Sequence, residues 1–199
     1  ERFPSDVLEL QSYLKGESRI PGINAYPGSG TNVPLIILGS SHFGAQLAAQ
    51  LGLTYSFASH FAPQLLESAA ALYRSEFKPS QDLAEPYFIA AANVIIADTQ
   101  QRAEELWERA KRARIRTMLG RGRQLTDDEV EQLVHSVPGQ QVLQMLEMTA
   151  VGTPAVVRAW LDNFASRVNA DELIVTNMAG PLEDRRRALQ LMSEHIIQR

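Results

Sequence analysis

Two serines, Ser40 and Ser41, sit where an apolar, β-favouring run hands over to an Ala/Leu-rich run with helical spacing, in PLIILGSSHFGAQLAAQLGL, residues 34–53. A helix that starts at the C-terminal end of a buried strand offers unpaired N–H groups and a partial positive charge, both suited to a phosphate. The serine hydroxyls add two donors, and Gly39 and Gly44 permit close backbone approach around His42 and Phe43. The same residues also make a serviceable strand-to-helix turn in which serine merely caps, and spacing alone leaves both readings open. Two sharper motifs are excluded. A hydrolase elbow, Gly-x-Ser-x-Gly centred on Ser41, requires glycine at position 43, where Phe43 stands. Gly28-Ser29-Gly30 lacks the third glycine of the dinucleotide fingerprint and precedes a strand where it should follow one.

The second stretch with chemical potential is FASHFAP, residues 57–63. A histidine between aromatics at the end of a strand occupies the place where α/β folds put their ligands. His60 could donate a hydrogen bond or act as an acid or base near neutral pH, or it could be a rim residue satisfied by backbone. His42 reads more as a rim residue, and His135 and His195 lie in polar helical surroundings. None of the four histidines has metal-ligand spacing, so no metal site is expected. Asn93 interrupts an apolar strand, and a buried amide of this kind is expected to tie strands together rather than face a ligand. KRARIRTMLGRGR, residues 111–123, carries six basic residues and reads as a solvated helix end balanced by upstream acids.

The elements needed to position these groups are visible in the pattern. Residues 33–38, 55–59, 87–97 and 172–176 are apolar and rich in β-formers, as buried parallel strands are. Helices are expected over 45–51, closed by Gly52, over 63–77, and from Asp98, with Gln101 completing a capping box. Gly120-Arg121-Gly122-Arg123 ends that last helix. Thr126 and Glu129 form a second capping box, the piece around Pro138-Gly139 is irregular, Thr153-Pro154 opens a helix to about Ala165, and a final helix runs over 182–196. Strand–helix alternation indicates an α/β fold with a mostly parallel sheet, either doubly wound or part of a (β/α)8 barrel.

The bulk properties bound the function. A length of 199 residues and a 45% hydrophobic composition suit one globular domain. A net charge of −4 argues against a dedicated nucleic-acid binder. The absence of cysteine rules out disulfides, thiolate metal sites and a cysteine nucleophile, and fits a cytoplasmic location. No apolar run reaches the length of a membrane span.

The stretch PLIILGSSHFGAQLAAQLGLTYSFASHFAP resembles the bacterial-luciferase-like FMN-dependent monooxygenases, and so do PYFIAAANVIIADTQQRAEEL and VGTPAVVRAWLDNFASRVNADELIVTNM, in the family's order. The resemblance implies a (β/α)8 TIM barrel of which residues 1–199 form the C-terminal part of a single domain, from about the fifth strand to the eighth. It implies reduced FMN, supplied by a separate flavin reductase, and O2 used to oxidise a small organic substrate such as an aldehyde. Deazaflavin F420 with hydride transfer is the alternative, and a non-catalytic flavin-binding relative is a third reading. By the same resemblance the loop Gly39, Ser40, Ser41, His42, Phe43 and Gly44 receives the FMN phosphate. Gly44 departs from relatives that often carry Ser or Thr there. The resemblance further implies that Ser59 approaches the cofactor and that His60 and Phe61 line the substrate pocket, with His60 the candidate catalytic residue. A homodimer is a further expectation, with no nucleic-acid or membrane partner.

Overall fold

The computed structural model describes residues 2–197. Five parallel strands form one sheet: β1 (Ile36–Gly39), β2 (Thr54–Phe57), β3 (Phe88–Ile96), β4 (Thr149–Gly152) and β5 (Glu172–Asn177). Among the described residues eight α-helices accompany them: α1 (Phe3–Lys15), α2 (His42–Leu51), α3 (Leu66–Glu76), α4 (Gln100–Leu119), α5 (Asp127–Val134), α6 (Val137–Gln144), α7 (Pro154–Val168) and α8 (Leu182–His195). The result is a partial (β/α) barrel. All four strands expected from the sequence are present, shifted by up to three residues at their ends.

β3 organises the sheet. All nine of its residues are buried. Along one edge it pairs with β5 from Ile89 to Val94. The other edge is shared in series: β2 takes Phe88 to Ala90, and β4 takes Asn93 to Ile96. Side chains alternate across a strand, so Phe88, Ala90, Ala92, Val94 and Ile96 join the main core beneath α2, α3, α7 and α8. Ile95 and Ala97 face the opposite way and pack against Ala103 and Leu106 of α4. Covering both faces of a parallel sheet explains why β3 reads as a continuous apolar run.

Asn93 is the polar exception within β3, with 3% of its surface exposed. Its side-chain oxygen accepts from the Thr176 hydroxyl at 2.6 Å, and its amide nitrogen lies 3.4 Å from Thr149 Oγ1. Those residues belong to β5 and β4, so the amide ties three strands together, as the sequence suggested. Tyr73 makes a comparable tie from α3. Its buried hydroxyl donates to Leu53 O at 2.9 Å and accepts from the Tyr87 N–H at 3.1 Å, joining the starts of β2 and β3.

Helix ends follow local chemistry, with instructive departures. Gly52 closes α2 in the left-handed region (φ 62°), and a Cβ there would lie 2.6 Å from Lys78 O. Thr126 and Glu129 form the expected capping box. The cap of α4 is Thr99, whose hydroxyl accepts from Arg102 N, and not Asp98. Asp98 is committed to Arg187 on α8, an ion pair that holds its carboxyl below the usual range. The region around Pro138-Gly139, expected to be irregular, is helix α6: Pro138 fits its first turn and Ser136 caps it by accepting from Gly139 N.

Replacing Tyr73 with Phe leaves the buried Leu53 carbonyl and Tyr87 N–H without that partner. The expected loss is about 1–3 kcal/mol of unfolding free energy, measured by urea denaturation. An unchanged midpoint and slope would show that the hydroxyl ties nothing together.

Candidate functional site

Every parallel strand ends on the same side, and that rim gathers the residues singled out from sequence. β1 delivers Gly39, Ser40 and Ser41 to the start of α2. Ser41 is the N-cap in extended conformation, and neither serine hydroxyl has a protein hydrogen-bond partner among the described residues. No acidic residue occupies the first turn of α2, so nothing offsets the positive end of its dipole. The loop is held from beneath by Tyr55, whose hydroxyl donates to Ser41 O at 3.0 Å and whose burial pushes its phenol up from the ordinary value.

Gly44 is buried against the same tyrosine. A Cβ at this position would come within 3.3 Å of Tyr55 Cε2 and 3.6 Å of Gly39 Cα. The absence of a side chain thus lets α2 settle closely on β1 and β2. His42 is engaged at Nε2 by Ser68 Oγ at 2.8 Å, which ties the start of α2 to α3 in keeping with a rim residue. Phe43 is 57% exposed at the head of the helix.

β2 leads into the turn that holds Ser59, His60 and Phe61. Ser59 is fully buried, with its hydroxyl 3.4 Å from Phe57 O. His60 stacks obliquely on Phe61, ring centroids 4.4 Å apart. Its Nδ1 is buried without a hydrogen-bond partner. Burial, and then the positive charge of Arg114, lower its pKa below the ordinary histidine value. His60 is therefore held toward its neutral form at the rim, with one ring nitrogen uncommitted.

Arg114, whose charge reaches His60, is not singled out by the sequence because it lies inside the basic run 111–123. Four of the six basic residues in that run do pair with acids: Lys111 with Glu108, Arg112 with Glu131, Arg116 with Asp127, and Arg123 with Glu129. Three of those acids come from α5, downstream of the run. Arg114 joins none of these pairs and turns to the rim instead. The uneven pairing could not be seen before α5 was folded against α4. Among the described residues no cluster of His, Asp and Glu is arranged to hold a metal, and no helix is long and apolar enough to cross a membrane.

Comparison with known proteins gives this geometry a family. The sequence profile of the luciferase-like monooxygenases matches residues 10–171. A luciferase-like monooxygenase of Escherichia coli K12 is 40% identical over 177 residues, covering 88% of this chain and 53% of the relative. The crystal structure of apo-MsnO8 superposes with a TM-score of 0.79 at 29% identity, covering 97% of this chain and 60% of that one. The F420-dependent tetrahydromethanopterin reductase of Methanopyrus kandleri shares the fold, with a TM-score of 0.64 at 16% identity over 96% of this chain and 61% of that one. The chain thus spans 53–61% of the length of these proteins. The profile match over residues 10–171 and the 40% identity to the Escherichia coli relative, on a partial parallel barrel, place this chain in the luciferase-like monooxygenase family.

Proposed function

We propose that the chain supplies the phosphate grip and part of the ring pocket of a flavin-dependent monooxygenase that uses reduced FMN and O2 to oxidise a small organic substrate, an aldehyde by family precedent. One observation carries this reading: Ser40 and Ser41 stand with uncommitted hydroxyls at the N-terminus of α2, at the C-terminal end of a parallel strand. The group fits. First-turn N–H groups and two hydroxyls suit a phosphate dianion, and Tyr55 fixes the loop so that little ordering cost falls on binding.

When bound, FMN would supply the oxygen chemistry. The protein's part is to hold its phosphate through Ser40, Ser41 and the backbone from Gly39 to Gly44, and to shape the pocket with His60 and Phe61 above the buried Ser59. His60 has a proton to hold or pass at the rim, and its lowered pKa keeps an imidazole nitrogen available as an acceptor at neutral pH. In this reading residues 1–199 are the C-terminal part of one barrel domain, a separate reductase delivers the reduced flavin, and a second copy forms a dimer. The shared fold with an F420-dependent reductase favours a second reading, in which the same grip holds F420 for hydride transfer. Oxygen uptake with reduced FMN, set against hydride transfer with reduced F420, separates the two.

Replacing Ser41 with Ala removes a donor to the phosphate alone. FMN affinity should fall about tenfold, with riboflavin affinity nearly unchanged, as read by fluorescence titration. Equal losses for both flavins would refute the assigned role.

The His60 environment sets a pH dependence. Its pKa is lowered from 6.5 in the folded state, so below that value the unfolded chain binds the proton more readily. Folding stability should therefore fall as pH drops through 6.5 toward the depressed folded value. In His60→Gln this component disappears, and the variant should lose less stability than the parent between about pH 7.5 and about pH 5.5. Parallel pH profiles would mean that the ring titrates alike in both states.

A further inference from the structure

A cavity of about 620 Å³ opens on the rim between α4 and the segment joining β5 to α8. Arg109, Ala113, Arg114 and Thr117 line it from one face of α4, and Met178 and Pro181 face them. Its volume falls within the range of small-molecule sites.

The charges of α4 are distributed unevenly around this cavity. Arg102, Lys111, Arg112 and Arg116 each have a carboxylate partner. Among the described residues Arg109 and Arg114 have none, and these are the two that line the cavity. Arg114 is partly buried, and a partly desolvated guanidinium without a counter-charge is costly unless something supplies one. The charge of Arg114 also reaches His60, which lies outside the cavity lining and has its buried Nδ1 without a partner. Ala113, Met178 and Pro181 make the rest of the wall apolar.

We propose that this cavity binds an organic carboxylate, its head group on Arg114 and Arg109 and its hydrocarbon body against Ala113, Met178 and Pro181. Guanidinium groups match a two-oxygen planar anion better than any neutral head group, and the apolar wall takes a short alkyl chain. The site is separate from Ser40 and Ser41, so it adds to the phosphate grip and does not compete with it. A part for such a carboxylate in the reaction, as the acid that oxidation of an aldehyde yields, rests on the monooxygenase reading; its binding does not.

The test uses the flavin-free chain, with octanoate and 1-octanol as probes in isothermal titration calorimetry. Octanoate should bind at least about tenfold more tightly than 1-octanol. Arg114→Met should weaken octanoate by about tenfold or more, Arg109→Met by less, and Arg114→Lys should restore part of the loss. An anion on Arg114 cancels its effect on His60, so the His60 imidazole should titrate at higher pH in saturating octanoate, followed by NMR. Thermal unfolding of each variant shows whether the fold is kept, and the lysine variant tests the charge should the methionine variant unfold. Equal binding of acid and alcohol, octanoate affinity unaltered in both arginine variants, or no octanoate binding would each overturn the proposal. A carboxylate site that fails beside an intact preference for FMN over riboflavin leaves the flavin reading standing, and the reverse result leaves the carboxylate site standing.

Discussion

Nine consecutive buried residues in β3 are the constraint from which the rest of the structure follows. A strand buried on both faces must give every backbone N–H and C=O a partner and must have both faces covered. β3 meets the first demand with three neighbours on two edges, β5 along one and β2 and β4 in turn along the other. It meets the second with α2, α3, α7 and α8 on one face, and with α4 at its C-terminal end on the other. Asn93 belongs to the same solution. Its amide can sit at 3% exposure because Thr149 and Thr176 approach from the flanking strands.

That arrangement fixes the site. With all strands parallel, the turns after β1 and β2 and the entry to α4 are brought to one rim without any further device. Tyr55 then links interior to rim. Its ring packs with Tyr73 and Phe88 at centroid distances of 5.5 and 5.8 Å, while its hydroxyl holds Ser41 O. Packing in the core is in this way converted into the position of the Gly39–Gly44 loop. Elsewhere the sheet is less complete. Ile36 and Leu38 of β1 and Ile174 and Val175 of β5 are exposed, so these two edge strands present apolar side chains to solvent. Exposed apolar edge strands invite pairing, in line with a chain that spans only part of the length of its relatives.

Much of this was legible from sequence because the signals are local. The strand–Gly-Ser-Ser–helix junction, the Gly52 terminus, the Thr126 capping box and the tying role of Asn93 each follow from a few adjacent residues. What escaped depends on distant partners. Asp98 looked like a cap because a nearby glutamine completes the pattern, but Arg187, far along the chain, claims its carboxylate. Gly139 looked like a breaker, yet a Cβ there would lie 1.7 Å from Leu133 O, so the glycine is what lets α6 pack where it does. β4 is four residues long and too short to show a period, and it is a strand because Asn93 to Ile96 of β3 need partners. α1, with Pro4 in its first turn and Gly16 at its end, carried usable signals that went unread. Arg114 was hidden by composition, since a run of six bases looks uniform until its neighbours have paired off.

The shared edge of β3 also separates two kinds of change. Everything between β3 and β4, including α4, α5 and α6, leaves the sheet and returns to the same edge, while β5 closes on the opposite edge regardless of what that excursion does. Lengthening the loops within that excursion has only a small entropic effect on the strands that flank it, so long as α4 keeps its cover over Ile95 and Ala97. The Gly39–Gly44 loop lies outside it, between β1 and α2, whereas Arg109 and Arg114 lie within it. Changes at the cavity-facing positions of α4 can therefore reshape the space beside Arg109 and Arg114 while leaving the Gly39–Gly44 turn and its Tyr55 support in place.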